Sequence, residues 1–234
     1  MKKTIKLSGI PVEYDLQRKK VKNVNIRIKS DMSVSVSAPS RVLQADIERI
    51  LIEKADFILS ALSKYKKRKE LMKNSEGDDR VEIFGTILPI EVSSGKKNKA
   101  EIIDSRVIVT LKDITDRETQ SKAVSALLDA LCRDTVEEIC RSVYPNFAGY
   151  TKGFPQIKFR HMKTRWGSCN YKKEVLTFNY SLVHAPRKCI EYVVYHEFTH
   201  FIHHDHSTDF HKTLSRFVPN EKQLKKELEN HKHG

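Results

Sequence analysis

The chain has 234 residues, 39% of them hydrophobic and 31% charged, with only 8 glycines and 7 prolines. That length can bury one large core or two small ones, and the scarcity of Gly and Pro argues against long disordered linkers. The formal net charge of +13, with a pI near 9.5, suits either a solvated basic surface or an acidic partner such as nucleic acid. No stretch approaches the roughly 20 apolar residues of a membrane span. The opening "MKKTIKLSGIPVEYDL" has lysines but no apolar segment, so it does not read as a secretory signal. Cys132, Cys140, Cys169 and Cys189 form no Cys-x-x-Cys pair, the usage expected of reduced thiols in a cytoplasmic protein.

The first clear element is "VKNVNIRIKSDMSVSVSAP", where Val24, Ile26 and Ile28 alternate, then Val34 and Val36 after a turn-like segment. This predicts a β-hairpin. Apolar residues from Val42 to Leu62 recur at helical spacing, with Ser40 placed to cap. The charged run "SKYKKRKELMKNSEGDD" then reads as a solvated helix end and loop. Two strands follow, "VEIFGTILPIEV" and "AEIIDSRVIVTL", then a long helix from about Thr115 to Tyr144 that Pro145 stops. Short strands in "PQIKFRHM" and "EVLTFNYSLV" flank the segment "KTRWGSCN". Pro186 suits the first turn of a helix continuing to about His203, and a basic helix over about Asn220 to His231 closes the chain. No internal repeat is visible. The expected fold class is α+β: a β-rich N-terminal part with one helix over residues 1–112, and an α+β part over 113–234.

The chemistry concentrates in "YVVYHEFTHFIHHDHSTDF", residues 192–210. His196, Glu197 and His200 match H-E-x-x-H. Histidines four apart lie one above the other on a helix and can bind one Zn²⁺ at about 2.0–2.1 Å. Glu197 sits about 100° round the helix from His196, off the coordination face but able to take a proton from a water at the metal. Ile190, Val193, Val194 and Phe201 make the helix apolar around these groups, and burying them unpartnered costs several kcal/mol. A catalytic zinc takes three protein ligands. His203 shares the helix face, but seven residues of helix span about 10.5 Å, too far for one ion. The chain must turn and return a ligand, and "HHDHS" suits a turn, with Ser207 capping the next helix. His206 is therefore the expected third ligand, ahead of His204 and His211. The spacing from His200 to His206 equals that of metzincins, but their turn glycine is replaced by His203.

"KTRWGSCN" and the motif helix, with "LTFNYSLVHAP" between them, together resemble the YgjP-like metallopeptidase family. The matching residues are Arg165, Trp166, Gly167, Ser168 and Cys169; Pro186; His196, Glu197 and His200; and His206, Ser207 and Phe210. "APSRVLQADIERILIEKADFIL" and "FGTILPIEV" are also similar to that family, so the likeness spans most of the chain. It implies a zincin-like fold, a small sheet packed on an active-site helix and a supporting helix, with zinc metalloendopeptidase chemistry on a protein or peptide substrate. A more distant likeness is to the SprT and WLM metalloproteases, which act on protein bound to DNA.

Zincins commonly bind a peptide along a sheet edge, where backbone groups are exposed. Gly167 would permit close backbone approach there, and Arg165 could meet a carboxylate or oxyanion, or make a structural ion pair. Trp166 could be packing. Cys169 could approach the metal, although lone cysteines are usually simply buried. Asn179, Tyr180, Tyr192 and Tyr195 are candidate donors to the transition state. The expected function is thus zinc-dependent peptide hydrolysis with Glu197 as base. The alternatives are a basic nucleic-acid-binding protein with a structural zinc, and a protease associated with DNA.

Overall fold

The computed structural model describes residues 2–29, 31–72, 79–229 and 231. These form six α-helices and eleven strands in three small sheets, a mixed α/β chain. They divide into two compact units, one up to Leu71 and one from Met72 onward. Among the described residues no helix is long and apolar enough to cross a membrane.

In the first unit, β1 (Lys2–Leu7) and β2 (Ile10–Arg18) form a hairpin. Its turn is Ser8–Gly9, both at positive φ, the backbone that matches strand twist in a two-residue turn. The expected hairpin is present as β3 (Asn25–Ile28) and β4 (Val34–Ala38). The sheet order is β1-β2-β4-β3, with β2 and β4 parallel. One face buries Leu7, Val12, Tyr14, Leu16, Val34 and Val36 in a core with Ile47, Leu51 and Ile58. Those last three come from two helices, not the single one expected: α1 (Gln44–Glu53) and α2 (Ala55–Met72). The break is Lys54, whose amide bonds the Ile50 and Ile52 carbonyls. The apolar stripe runs straight through it, so periodicity alone reads one helix. The loop expected over 73–78 lies outside the described residues.

The second unit begins with another hairpin pair. "VEIFGTILPIEV" and "AEIIDSRVIVTL" are each a hairpin, not a strand. β5 (Arg80–Ile83) turns through Phe84–Gly85 into β6 (Thr86–Ser94), and β7 (Lys99–Ile103) turns through Asp104–Ser105 into β8 (Arg106–Leu111). All four turn residues have positive φ. The sheet order is β5-β6-β8-β7, with β6 and β8 parallel.

The two sheets are the same construction. Tyr14 faces Val34 and Ile90 faces Val107 at the start of each five-pair parallel ladder. Just past each ladder the same backbone bond recurs, Lys19 N–H to Ala38 O and Gly95 N–H to Leu111 O. In both, a helix begins six positions after the last strand, α1 at Gln44 and α3 (Arg117–Val143) at Arg117. The chain therefore contains a structural repeat, against the sequence expectation of none. Strand order, parallel ladder and the first hairpin turn are kept while side chains differ: Tyr14 stands where Ile90 does, and Ile47 where Gln120 does.

α3 is the long helix expected. Asp116 caps it, its side chain accepting from Thr119 N–H. Its Cys132, Val136, Ile139 and Val143 share one core with Val81, Ile83, Val107, Val109 and Leu111 of the sheet and with Val193, Val194 and Phe198 further on. Strands β5 to β8 and helix α3 thus share one core with the elements that follow. The third sheet, order β10-β11-β9, holds β9 (Gln156–Arg160), β10 (Gly167–Asn170) and β11 (Val175–Asn179). β10 falls inside the segment expected to lie between strands. α4 (Arg187–Thr199), α5 (Thr208–Phe217) and α6 (Glu221–Glu229) complete the unit.

The β5–β6 turn seats the start of α4. Phe84 N–H donates to Val183 O at 2.6 Å, and His184 Nδ1 donates to Glu82 O at 2.7 Å. A Cβ on Gly85 would lie 2.9 Å from Pro186 Cγ, whereas one on Gly9 would meet nothing within 4 Å. Both glycines have φ near +80°, where an alanine costs about 1–2 kcal/mol. Gly85→Ala is expected to cost more than Gly9→Ala because the clash adds to the strain. Urea unfolding of the two variants measures the difference.

Candidate active site

α4 carries the H-E-x-x-H motif from a Pro186 N-cap. Its Cys189, Ile190, Val193, Val194 and Phe198 are fully or nearly fully buried. The helix ends at Thr199, with His200 as its C-cap, earlier than the expected His203. Phe201, Ile202 and His203 continue the apolar pattern, but their amides fold back onto the Phe198 and Thr199 carbonyls. The chain then reverses: the Asp205 carboxylate accepts from Ser207 N–H at 3.2 Å, and Ser207 Oγ accepts from Phe210 N–H at the start of α5. The expected Ser207 cap is thus in place.

This reversal brings His206 back. The ligating atoms of His196, His200 and His206 all lie within 4.8 Å of one another, and His206 Nε2 is 3.0 Å from His196 Nε2. The other histidines are engaged elsewhere. His203 Nε2 meets Thr213 Oγ1 at 3.0 Å. His204 Nδ1 donates to His200 O and its ring stacks on Tyr171 at 3.5 Å. His211 Nδ1 bonds the Glu221 carboxylate.

Phe210, fully buried, supports the three imidazoles from one side. Its ring centroid is 4.9 Å from that of His196, 4.7 Å from His200 and 4.9 Å from His206. Sequence reading placed Phe210 in the motif without a role; the signal was its position three after the capping serine, which turns it toward the returning histidine.

The donor set fits a divalent metal. His200 Nδ1 donates to His203 O at 3.0 Å, which leaves its Nε2 lone pair for the cluster. Burial, and then the charges of His200 and His206, push the His196 imidazole down to about 3, so it stays neutral. Two imidazole nitrogens 3.0 Å apart need a proton or a cation between them. Tetrahedral ligands at about 2.0–2.1 Å from zinc stand roughly 3.3 Å apart, close to that separation.

Glu197 is 6% exposed. Burial pushes its carboxyl up to about 8, and the Arg165 guanidinium opposes that shift. The side chain lies against the backbone of β10: a Cβ on Gly167 would sit 2.7 Å from Glu197 Oε1. A Cβ there would force the Glu197 side chain to move. β10 pairs on one side with β11 and is the edge of its sheet among the described residues.

The other expected site residues sort by their contacts. Asn179 is buried and fully committed. Its Nδ2 donates to the Met162 and Arg165 carbonyls, and its Oδ1 accepts from Met162 and Ser181 N–H. It clips the segment before β10 to β11 and has no donor left for a substrate, which corrects the sequence expectation. Arg165 is exposed, and Trp166 packs partly buried against the core. Burial first, then Glu197, pushes the Cys169 thiol up to about 12, and Cys169 is not among the groups that converge with His196, His200 and His206. The Tyr180 hydroxyl accepts from Arg133, and Tyr195 stacks on Phe217. Tyr192 alone of these tyrosines faces His196, ring to ring at 6.0 Å.

Three converging imidazoles beside a buried carboxylate is the arrangement with which metal-dependent hydrolases work. The model of the YgjP-like, metallopeptidase domain family matches residues 22–231, most of the chain, and the chain belongs to that family. No curated protein matches it. Membership implies a hydrolase with a divalent metal, acting on protein or peptide substrates.

The buried carboxyl gives the metal-free protein a pH signature. Between its ordinary value of 4.5 and about 8 the folded Glu197 keeps a proton that the unfolded chain has released. Stability contributed by this group therefore falls as pH rises through that window. Glu197→Gln is expected to remove this fall, so that variant gains on the chelator-treated parent from pH 5 to about 8. Denaturant midpoints along the pH range measure it.

Proposed function

We propose that the chain is a zinc-dependent endopeptidase with a zincin-like site, held by His196, His200 and His206 with Glu197 as the base. The observation that carries this reading is the convergence of the three imidazoles next to a carboxylate that none of them needs for its own hydrogen bonding. A purely structural metal would not require Glu197. When bound, the zinc ion supplies Lewis-acid activation of water and of the scissile carbonyl.

The chain's own residues do the rest. Glu197 takes a proton from the attacking water and gives it to the leaving amine nitrogen. Gly167 sets where that carboxylate sits, because its missing Cβ is the space the side chain occupies. Arg165 favours the ionised form that the base needs. Phe210 keeps water from the rear of the imidazoles and holds their planes. The free edge of β10 offers backbone groups to an extended substrate, which would add as a strand. Four free cysteines support a reducing, cytoplasmic setting.

Glu197→Gln tests the assignment. Zinc per chain should match the parent, while cleavage of an unfolded protein substrate falls by roughly 10²–10⁴. Equal cleavage by the two proteins would remove Glu197 as the base. His206→Ala should lower zinc affinity at least about tenfold, since two ligands remain, whereas His204→Ala should keep the metal.

Gly167→Ala separates position from presence. The carboxylate survives but is displaced by about 1 Å, and such a displacement costs on the order of 10²-fold. The loss should appear in kcat with zinc content unchanged. Shortening the displaced side chain with Glu197→Asp in the Gly167→Ala background should cost less than it does in the parent.

A further inference from the structure

The net charge is not spread evenly. Residues 1–71 hold 17 Lys and Arg against 8 Asp and Glu, a net +9, leaving +4 for the other 163 residues. The structural repeat supplies a comparison within one chain. Its second copy, residues 79–143, has 10 Lys and Arg against 12 Asp and Glu, a net −2. The same backbone thus occurs twice, once seating the start of α4 and once carrying most of the positive charge. Nothing in the β-sheet construction requires that charge.

Within the first unit one group of cations lies together at an end of the sheet. β2 and β4 run parallel and finish together, at Arg18 and Ala38. Arg18 Nη1 donates to the Pro39 and Val42 carbonyls, tying the loop after β2 to the segment before α1. Lys19, Lys20 and Lys22 in that loop, and Arg41 in that segment, are exposed. Between Leu16 and Ala45 the only acidic residue is Asp31, in the turn at the opposite end, where its carboxylate accepts from Ser33 N–H.

The outer sheet face next to this cluster is polar. Gln17, Ser37 and Asn25 stand side by side across it by register, and in the next row Ser35 stands between Asp15 and exposed Arg27. Lys19, Lys20, Lys22 and Arg27 make no ion pair among the described residues. In the second copy the corresponding strands neutralise theirs: Arg106 pairs with Glu91, and Lys99 with Glu101.

We infer that this end of the first unit is a docking surface for the phosphate backbone of duplex nucleic acid. Exposed cations around a floor of hydroxyl and amide side chains give phosphates both charge and hydrogen bonds. The outer face carries no aromatic ring on which an unpaired base could stack. Recognition is therefore of the backbone and independent of sequence. The inference does not rest on the peptidase reading, because binding needs neither metal nor catalysis.

The test is fluorescence anisotropy of the full chain with a short random-sequence DNA duplex. Five phosphate contacts, from Lys19, Lys20, Lys22, Arg27 and Arg41, predict a slope of log affinity on log salt of about −4.5. The triple variant Lys19→Glu, Lys20→Glu, Lys22→Glu should bind at least about tenfold more weakly, and its salt slope should shrink by about 3. The triple Lys→Ala variant should lose less, in the same direction. Lys96→Glu, Lys97→Glu, Lys99→Glu alters net charge equally in the second copy and should stay within about twofold of the parent. Equal loss in both charge-reversal variants would show an effect of total charge and overturn the surface. No binding at about 50 mM salt would overturn it too. So would capture by phosphatidylserine vesicles without capture of duplex, which would assign the charge to a lipid surface.

Discussion

Desolvation is the constraint on which the site depends. α4 is apolar nearly all round, so two histidines and a glutamate enter the core with it. Left alone, those groups would cost several kcal/mol. The surroundings answer each one differently. His200 finds a backbone carbonyl, Glu197 finds the backbone of β10 and an opposing guanidinium, and His196 finds His206. His196 Nδ1 is buried with no hydrogen-bond partner. What remains is a set of three imidazole nitrogens close enough together to share one ion.

Returning His206 to that point takes a short reversal, and most of the machinery of residues 200–210 serves it. The helix stops one turn early, Asp205 and Ser207 shape the bend, and Phe210 fixes α5 against all three rings. Site assembly and the docking of α5 are thus a single event. A change that loosened Phe210 would loosen three imidazoles together instead of one.

Much of this was legible because its signals are local. Histidines four apart, a serine before an amphipathic helix and the limit of 10.5 Å along a straight helix together single out His206 without any tertiary information. The extent of α3 follows from its periodicity and Pro145. What escaped was set by tertiary pairing. Apolar Phe201 and Ile202 continue the helical pattern although the helix has stopped. Asn179 looks like a free donor in the sequence because its four hydrogen bonds go to segments before and after it in the fold. The repeat left almost no shared side chains, since ladder register and turn backbone tolerate wide substitution as long as one face stays apolar. The seat that Gly167 makes for Glu197 joins a strand to a helix 30 positions later, a contact no periodicity encodes.

The two copies of the hairpin turn differ in freedom. Phe84–Gly85 is held by Val183, Glu82, His184 and Pro186, so anything added there would push on the first turn of α4. Ser8–Gly9 has open space around its glycine, and exposed turn tips of small residues are where chains accept insertions. A reporter peptide or fused domain can be spliced between Ser8 and Gly9, with the second copy left intact to brace α4. The repeat thus contains one turn that works as a brace and one that works as a handle.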